Sequence, residues 1–188
     1  AHPDFASNNQ IYLYYTTQKD GQLVNRVVRY LLTPSGLAGD KIIIDDIPAS
    51  SIHNGGYLAF GPDRLLYVTT GDANQSNLSQ DLASLAGKIL RVDAEGNIPS
   101  DNPYGNAIYS YGHRNPQGLT WDSQANLWAT DHGPSGSGSD SGQDEINLIV
   151  AGQNYGWPNI MGDQTQSGMQ SPALQSGSVT WAPAGILY

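Results

Sequence analysis

At 188 residues the chain is long enough for one domain or a large part of one. Its 8 Lys and Arg against 17 Asp and Glu leave a net charge of −9, without the basic stripe that nucleic-acid binding requires, and the absence of cysteine excludes disulfides and thiolate metal sites. No apolar run approaches the roughly 20 residues of a membrane-spanning helix; 22 Gly, 11 Pro and 11 Tyr with few charges point to a turn-rich all-β protein.

In chain order, short runs rich in Ile, Val, Leu and Tyr and bounded by Gly, Pro, Asn or Ser predict strands. They cover Ile11 to Thr17, Arg26 to Thr33, Lys41 to Ile47, Tyr57 to Phe60, Leu65 to Thr70 and Lys88 to Asp93. Tyr109 to Tyr111, Leu119 to Trp121, Leu127 to Thr130 and Glu145 to Val150 complete the set, and only Leu78 to Leu85 suggests a helical turn.

A repeat underlies these strands. Phe5, Phe60, Trp121 and Trp181 lie 55, 61 and 60 residues apart, and each is followed seven positions later by Tyr12, Tyr67, Trp128 or Tyr188. Turn residues fill the intervals, so each copy predicts a strand, a tight turn and a second strand. Such a repeat is the signature of a propeller blade. About three copies fit in residues 1–188, which read as a single partial β-propeller domain lacking its remaining blades; Ala1 starts mid-copy with no signal segment.

Loops at equivalent repeat positions converge on one propeller face. His53 stands seven residues before Phe60 and Arg114 seven before Trp121, while Asp72 and Gly133 stand twelve after the same two aromatics. His53 is a candidate proton acceptor and Asp72 its orienting partner, or else a turn residue. Arg114 offers a fixed positive charge, or else a structural ion pair with Asp101 or Asp131. It belongs to a loop dense in polar side chains, His113, Arg114, Asn115 and Gln117, slung between two strands. From His132 to Glu145, exposed carbonyls combine with Asp140, Asp144 and Glu145, oxygen donors of the kind Ca²⁺ takes, although a Gly/Ser linker reads equally well. Nucleotide-binding, serine-hydrolase and zinc-protease motifs are absent from the sequence.

The series His53-Asn-Gly-Gly, Tyr67-Val-Thr-Thr-Gly-Asp72, Leu85-Ala-Gly-Lys-Ile-Leu-Arg91, Tyr111-Gly-His-Arg-Asn-Pro-Gln-Gly118, His132-Gly-Pro134 and Asn154-Tyr-Gly-Trp-Pro158 resembles the soluble sugar dehydrogenases that use pyrroloquinoline quinone (PQQ), the aldose branch above all. The resemblance implies a six-bladed β-propeller that oxidises an aldose at C1 to the lactone, by proton abstraction and hydride transfer to the quinone. It assigns catalytic roles to His53, Asp72 and Arg114, and cofactor contacts to Arg114, Asn115, Gln117 and His132. It places Ca²⁺ on Gly133 and Pro134, with a second site around Glu145 and Tyr155. It also implies a periplasmic or extracellular location and an external electron acceptor. Asp131 stands where that family commonly has Glu, and the Ser/Gly-rich loop after Pro134 is longer than usual. The alternatives are a non-enzymatic extracellular propeller that binds a partner and a Ca²⁺-dependent propeller lactonase; two half-propellers of this length would also be expected to associate as a homodimer.

Overall fold

Three antiparallel sheets follow one another along the chain. The structure, a computed structural model, describes residues 1–135 and 141–188; Asp140 lies outside the described residues. The first sheet holds β1 (Gln10–Lys19), β2 (Gln22–Thr33) and β3 (Gly36–Pro48). The second holds β4 (Leu58–Phe60), β5 (Leu66–Thr70), β6 (Lys88–Val92) and β7 (Ile108–Tyr111), and the third β8 (Pro116–Trp121), β9 (Leu127–Asp131), β10 (Glu145–Ile149) and β11 (Leu174–Gln175). Every strand pairs with its neighbour in sequence, the meander of a propeller blade, and three sheets are consistent with the expected three blades.

Local chemistry explains the turns. β1 and β2 are joined by Asp20-Gly21, both at positive φ (51° and 80°), which is the backbone twist a two-residue hairpin needs.

The core lies between sheets. Alternation along β5 and β6 sends Leu66, Val68, Leu90 and Val92 toward the first sheet, where they meet Tyr12, Val27, Ile44 and Ile47. The opposite phase sends Tyr67 and Ile89 toward the third sheet, against Leu119, Leu127, Ala129 and Ile149. Both faces of the second sheet are therefore covered, which is why β5 and β6 are buried at every position. Each such aliphatic side chain contributes roughly 1.5–3 kcal/mol by leaving water.

The repeated aromatics occupy the same interfaces. Tyr12 packs edge to face on Phe60, and Tyr67 on Trp121. Three sequence expectations need adjustment. Phe5 lies in a one-turn helix, α1 (Phe5–Asn8), and not in a strand; the helical turn sits at Ser76–Gln80 as a 3-10 helix, ahead of the expected Leu78 to Leu85; and Trp181 to Tyr188 form no strand. In addition, β8 starts at Pro116, so Gln117 is a strand residue and not part of the loop.

Candidate functional site

The loops that enter β4 and β8 and those that leave β5 and β9 meet at one rim. His53 itself lies at φ 57°, a left-handed conformation that L-residues adopt sparingly. Its carbonyl accepts from Ala73 N at 3.1 Å, and its Nδ1 lies 2.8 Å from Asp72 Oδ1. A carboxylate only accepts, so this bond places a ring proton on Nδ1, and in the neutral imidazole Nε2 is the nitrogen with the free lone pair. His53 Nε2 is thus the candidate proton acceptor of the site.

Three side chains or backbone groups converge on the buried Asp72 carboxylate. Oδ1 also accepts from Asn74 N at 2.8 Å, and Oδ2 accepts from Trp157 Nε1 at 2.9 Å. Asp72 is both of the things the sequence allowed, a turn residue and the partner of His53. Its backbone N–H donates to Arg114 O at 2.8 Å, tying the second sheet to the third.

Arg114 makes no ion pair among the described residues. Asp101 pairs with Arg91, and Asp131 receives the backbone N–H of Arg114 at 3.2 Å and not its guanidinium. The guanidinium instead donates from Nη1 to His132 O at 3.2 Å and lies over the Trp157 ring, 5.4 Å from its centroid. Burial pushes the Arg114 pKa down, against the opposing fields of Asp131, Asp72 and Asp144. A cation so held retains capacity for an electron-rich ligand.

Asn115 and Gln117 form the scaffold of the loop. Asn115 Oδ1 accepts from Gly55 N and from Gln117 Nε2, each at 3.0 Å, which locks the His53 loop to the Arg114 loop. Asp131 fixes the same loop from below, accepting from Asn115 N at 2.7 Å as well as from Arg114 N. His113 is fully buried, bridging Ser110 Oγ and Asp131 Oδ2 and stacked on Tyr155, so it is a structural member of the polar loop. An open depression of about 630 Å³ is lined by His53, Arg114, Asn115 and His132 together with Ile52, Asn74 and Ser135.

A smaller cavity beside it gathers Gly133, Pro134 and Glu145 with Asp131, Arg114 and Trp157. Burial, then the charge of Asp131, pushes the Glu145 carboxyl up to about 8, despite hydrogen bonds from Asn147 and Gly162. The cavity sets the half-buried Glu145 and the Asp131 carboxylate beside the Arg114 guanidinium and the apolar side chains of Ile160 and Met161. Pro134 O already accepts from Gly142 N at 3.0 Å, and Asp144 is engaged with Gly133 N, Trp181 N and Ala182 N. Tyr155 is not among the lining residues: its hydroxyl donates to Leu148 O and accepts from Val150 N, and burial pushes its pKa up to about 12. Among the described residues there is no group of three or more His, Asp or Glu side chains poised to hold a metal.

Trp157 escaped the sequence reading, and Asp131 was expected to make a different contact. Trp157 and Asp131 have no counterpart at the repeat offsets that linked His53, Asp72, Arg114 and Gly133. The only sequence signal of Trp157 was membership of the run Asn154 to Pro158, whereas Asp131 was expected as an ion-pair partner of Arg114 and instead accepts the backbone N–H groups of Arg114 and Asn115.

Stacked antiparallel sheets, with a His–Asp pair at one rim beside a guanidinium that makes no ion pair among the described residues, define a β-propeller with a candidate polar site on one face. The chain belongs to the Glucose / Sorbosone dehydrogenase family, whose model matches residues 1–188. It is 35% identical to quinoprotein glucose dehydrogenase B of Acinetobacter calcoaceticus over 89% of this chain and 40% of that protein. It is 33% identical to aldose sugar dehydrogenase YliI of Escherichia coli over 99% of this chain and 52% of that one. The PQQ-bound aldose sugar dehydrogenase of Streptomyces coelicolor superposes on all of the chain and on 55% of its own, with a TM-score of 0.90 and 41% identity. The chain thus spans about half the length of the relatives it matches. No helix among the described residues is long and apolar enough to cross a membrane.

Proposed function

We infer that this chain carries the proton-abstracting part of a PQQ-dependent aldose dehydrogenase. The observation that carries the reading is His53, hydrogen-bonded through Nδ1 to Asp72, beside an Arg114 guanidinium that makes no ion pair among the described residues, at one depression. His53 Nε2 takes the proton of the C1 hydroxyl, Asp72 holds the ring and the positive charge it acquires, and the product is the lactone. Bound PQQ supplies the two-electron acceptor for the hydride that leaves C1. Arg114, with Asn115 and His132 beside it, would hold a bound quinone and supply positive charge to its electron-rich oxygens. Gly133, Pro134 and Glu145 would hold Ca²⁺, which would supply Lewis-acid charge next to Arg114.

Around this site we place an external electron acceptor and a periplasmic or extracellular location. The relatives named above support the dehydrogenase reading, and the Arg114 guanidinium at the depression suits an anionic quinone; the Ca²⁺ assignment rests on the family resemblance. The test is to load the protein with PQQ and Ca²⁺ and follow dye reduction by aldoses, with lactone as the measured product. Ester hydrolysis in the absence of PQQ would instead indicate the lactonase, and ligand capture without turnover the binding module.

A further inference from the structure

Trp157 lies on a loop after β10, outside the repeat, yet its indole touches both halves of the site. Its Nε1–H donates to Asp72 Oδ2 at 2.9 Å, while its ring face supports the Arg114 guanidinium at 5.4 Å. Its own backbone is held at both ends. Trp157 N donates to Gly112 O at 2.9 Å, and Trp157 O accepts from Gln80 Nε2 at 2.6 Å. Gln80 in turn exchanges hydrogen bonds with Asn154 in both directions, at 2.8 and 3.0 Å. The indole is therefore a fixed object, not a mobile surface side chain.

Its two contacts have different physical roles. A carboxylate rotates about its own axis unless both oxygens are engaged. Asn74 N and His53 Nδ1 occupy Oδ1 of Asp72, and Trp157 Nε1 alone among the described side chains occupies Oδ2. The indole N–H sets the plane in which Oδ1 faces His53. The ring face, by contrast, lends a desolvated cation the π-electron density it lacks in an ion pair. Because Arg114 has no carboxylate partner among the described residues, this contact and the His132 carbonyl fix where its charge lies.

We propose that Trp157 is a positioning residue that couples the two arms of the site: its N–H orients Asp72 and through it the His53 tautomer, and its ring aims Arg114. The proposal rests on the dehydrogenase reading only for the identity of the bound partners. The groups that face His53 are Asp72 from the loop after β5, and Arg114 and His132 across the depression, so any effect on its ring must pass through one of these.

Nitrogen-15 NMR of the imidazoles reads the first arm without any cofactor. Wild-type protein is expected to show His53 as the Nδ1–H tautomer, and Trp157→Phe, which keeps a ring but removes the donor, to lower that population several-fold. In an Asp72→Asn background the same substitution should add nothing, as expected for one shared route. The Arg114 Nε resonance reads the second arm. It should stay in place in Trp157→Phe and move in Trp157→Leu; where the leucine variant does not fold, the phenylalanine variant alone decides. A His53 tautomer unchanged in Trp157→Phe, or a change that persists without the Asp72 carboxylate, overturns the proposal. If wild type shows the expected tautomer coupling but oxidises no aldose with PQQ and Ca²⁺, the dehydrogenase reading fails and the positioning role stands.

Discussion

Tyr67 and Trp121 meet edge to face across two sheets, with ring centroids 5.1 Å apart and planes at 73°. Tyr12 and Phe60 repeat the contact one sheet earlier, at 5.2 Å and 72°. In both pairs the second-strand aromatic of one copy packs on the first-strand aromatic of the next. The repeat spacing is thus the spacing of the inter-sheet contact, and the aromatics set how far apart neighbouring sheets stand. Trp121→Ala is expected to destabilise the fold by about 3 kcal/mol through the lost area and the cavity. Trp121→Phe should cost under about half of that, because an edge-to-face partner remains. Urea unfolding at fixed pH measures both, and equal losses would show that the ring contact contributes nothing beyond volume.

Lys88 supplies the pH dependence of stability. It is fully buried on β6, with Nζ donating to the carbonyls of Leu78, Ser79 and Ala86 at 2.8, 3.1 and 2.6 Å. Burial pushes its pKa down to about 7, only weakly opposed by Asp81. The folded state therefore binds fewer protons than the unfolded chain between about pH 7 and the ordinary lysine value near 10.5. Stability should rise with pH across that window, by up to about 1.4 kcal/mol per unit, and level off below pH 7, where the burial penalty is present in full. Lys88→Met should remove this slope while leaving three carbonyls without their donor. A Tm profile over pH 6 to 10 that has the same shape in both proteins contradicts the assignment.

Asp131 is the hinge between structure and site. One carboxylate takes the N–H groups of Arg114 and Asn115 and the ring of His113, all buried. In Asp131→Asn an amide NH₂ must face at least one of these donors, so a loss of about 2–4 kcal/mol in stability is expected. The Arg114 loop should loosen with it. Hydrogen exchange at the Arg114 and Asn115 amides should quicken by more than the change in global stability accounts for; uniform quickening would assign Asp131 to the fold only.

Much of this was legible because the fold repeats. Strands β4 to β6 and β9 and β10 follow from runs of Ile, Val, Leu and Tyr, which in β5 and β6 alternate between two covered faces, and the offsets from Phe60 and Trp121 put His53, Asp72, Arg114 and Gly133 on one rim from sequence alone. What stayed hidden has physical reasons. α1 is a single turn with no side-chain cap, and β11 pairs only Leu174 and Gln175, too little chain for either to leave a periodic signal. The contact between Trp157 and Asp72 spans 85 residues and comes from a loop outside the repeat, so no spacing rule points to it. The Arg114 partner was undecided from sequence because Asp101 and Asp131 are both acidic neighbours. Only geometry shows that Arg91 takes one and the backbone takes the other.

His53 is the residue on which the proposed chemistry turns. With Nε2 as the proposed base, His53→Gln should lower PQQ- and Ca²⁺-dependent aldose oxidation by about 10²–10⁴-fold while the fold and cofactor affinity persist. Turnover that survives the substitution would exclude His53 as the base.

A glycine two strands away tests the same geometry from the backbone. A Cβ on Gly71 would run into the carbonyl of His53 and come within 2.9 Å of Asn115 Oδ1, the atom that joins the His53 and Arg114 loops. The chain needs glycine here for close approach, because Gly71 passes between the two loops. In Gly71→Ala the methyl must push His53 O away from Ala73 N and Asn115 away from Gly55 N, and both bonds hold the base in place. Turnover should fall at least tenfold with little change at distant probes such as the Tyr12–Phe60 interface, because the strain is local. Aldose oxidation by Gly71→Ala protein, measured beside its near-ultraviolet circular dichroism, separates the cases: full activity would mean that the loops can part without moving His53, and that the tight contact at Gly71 has no part in placing the base.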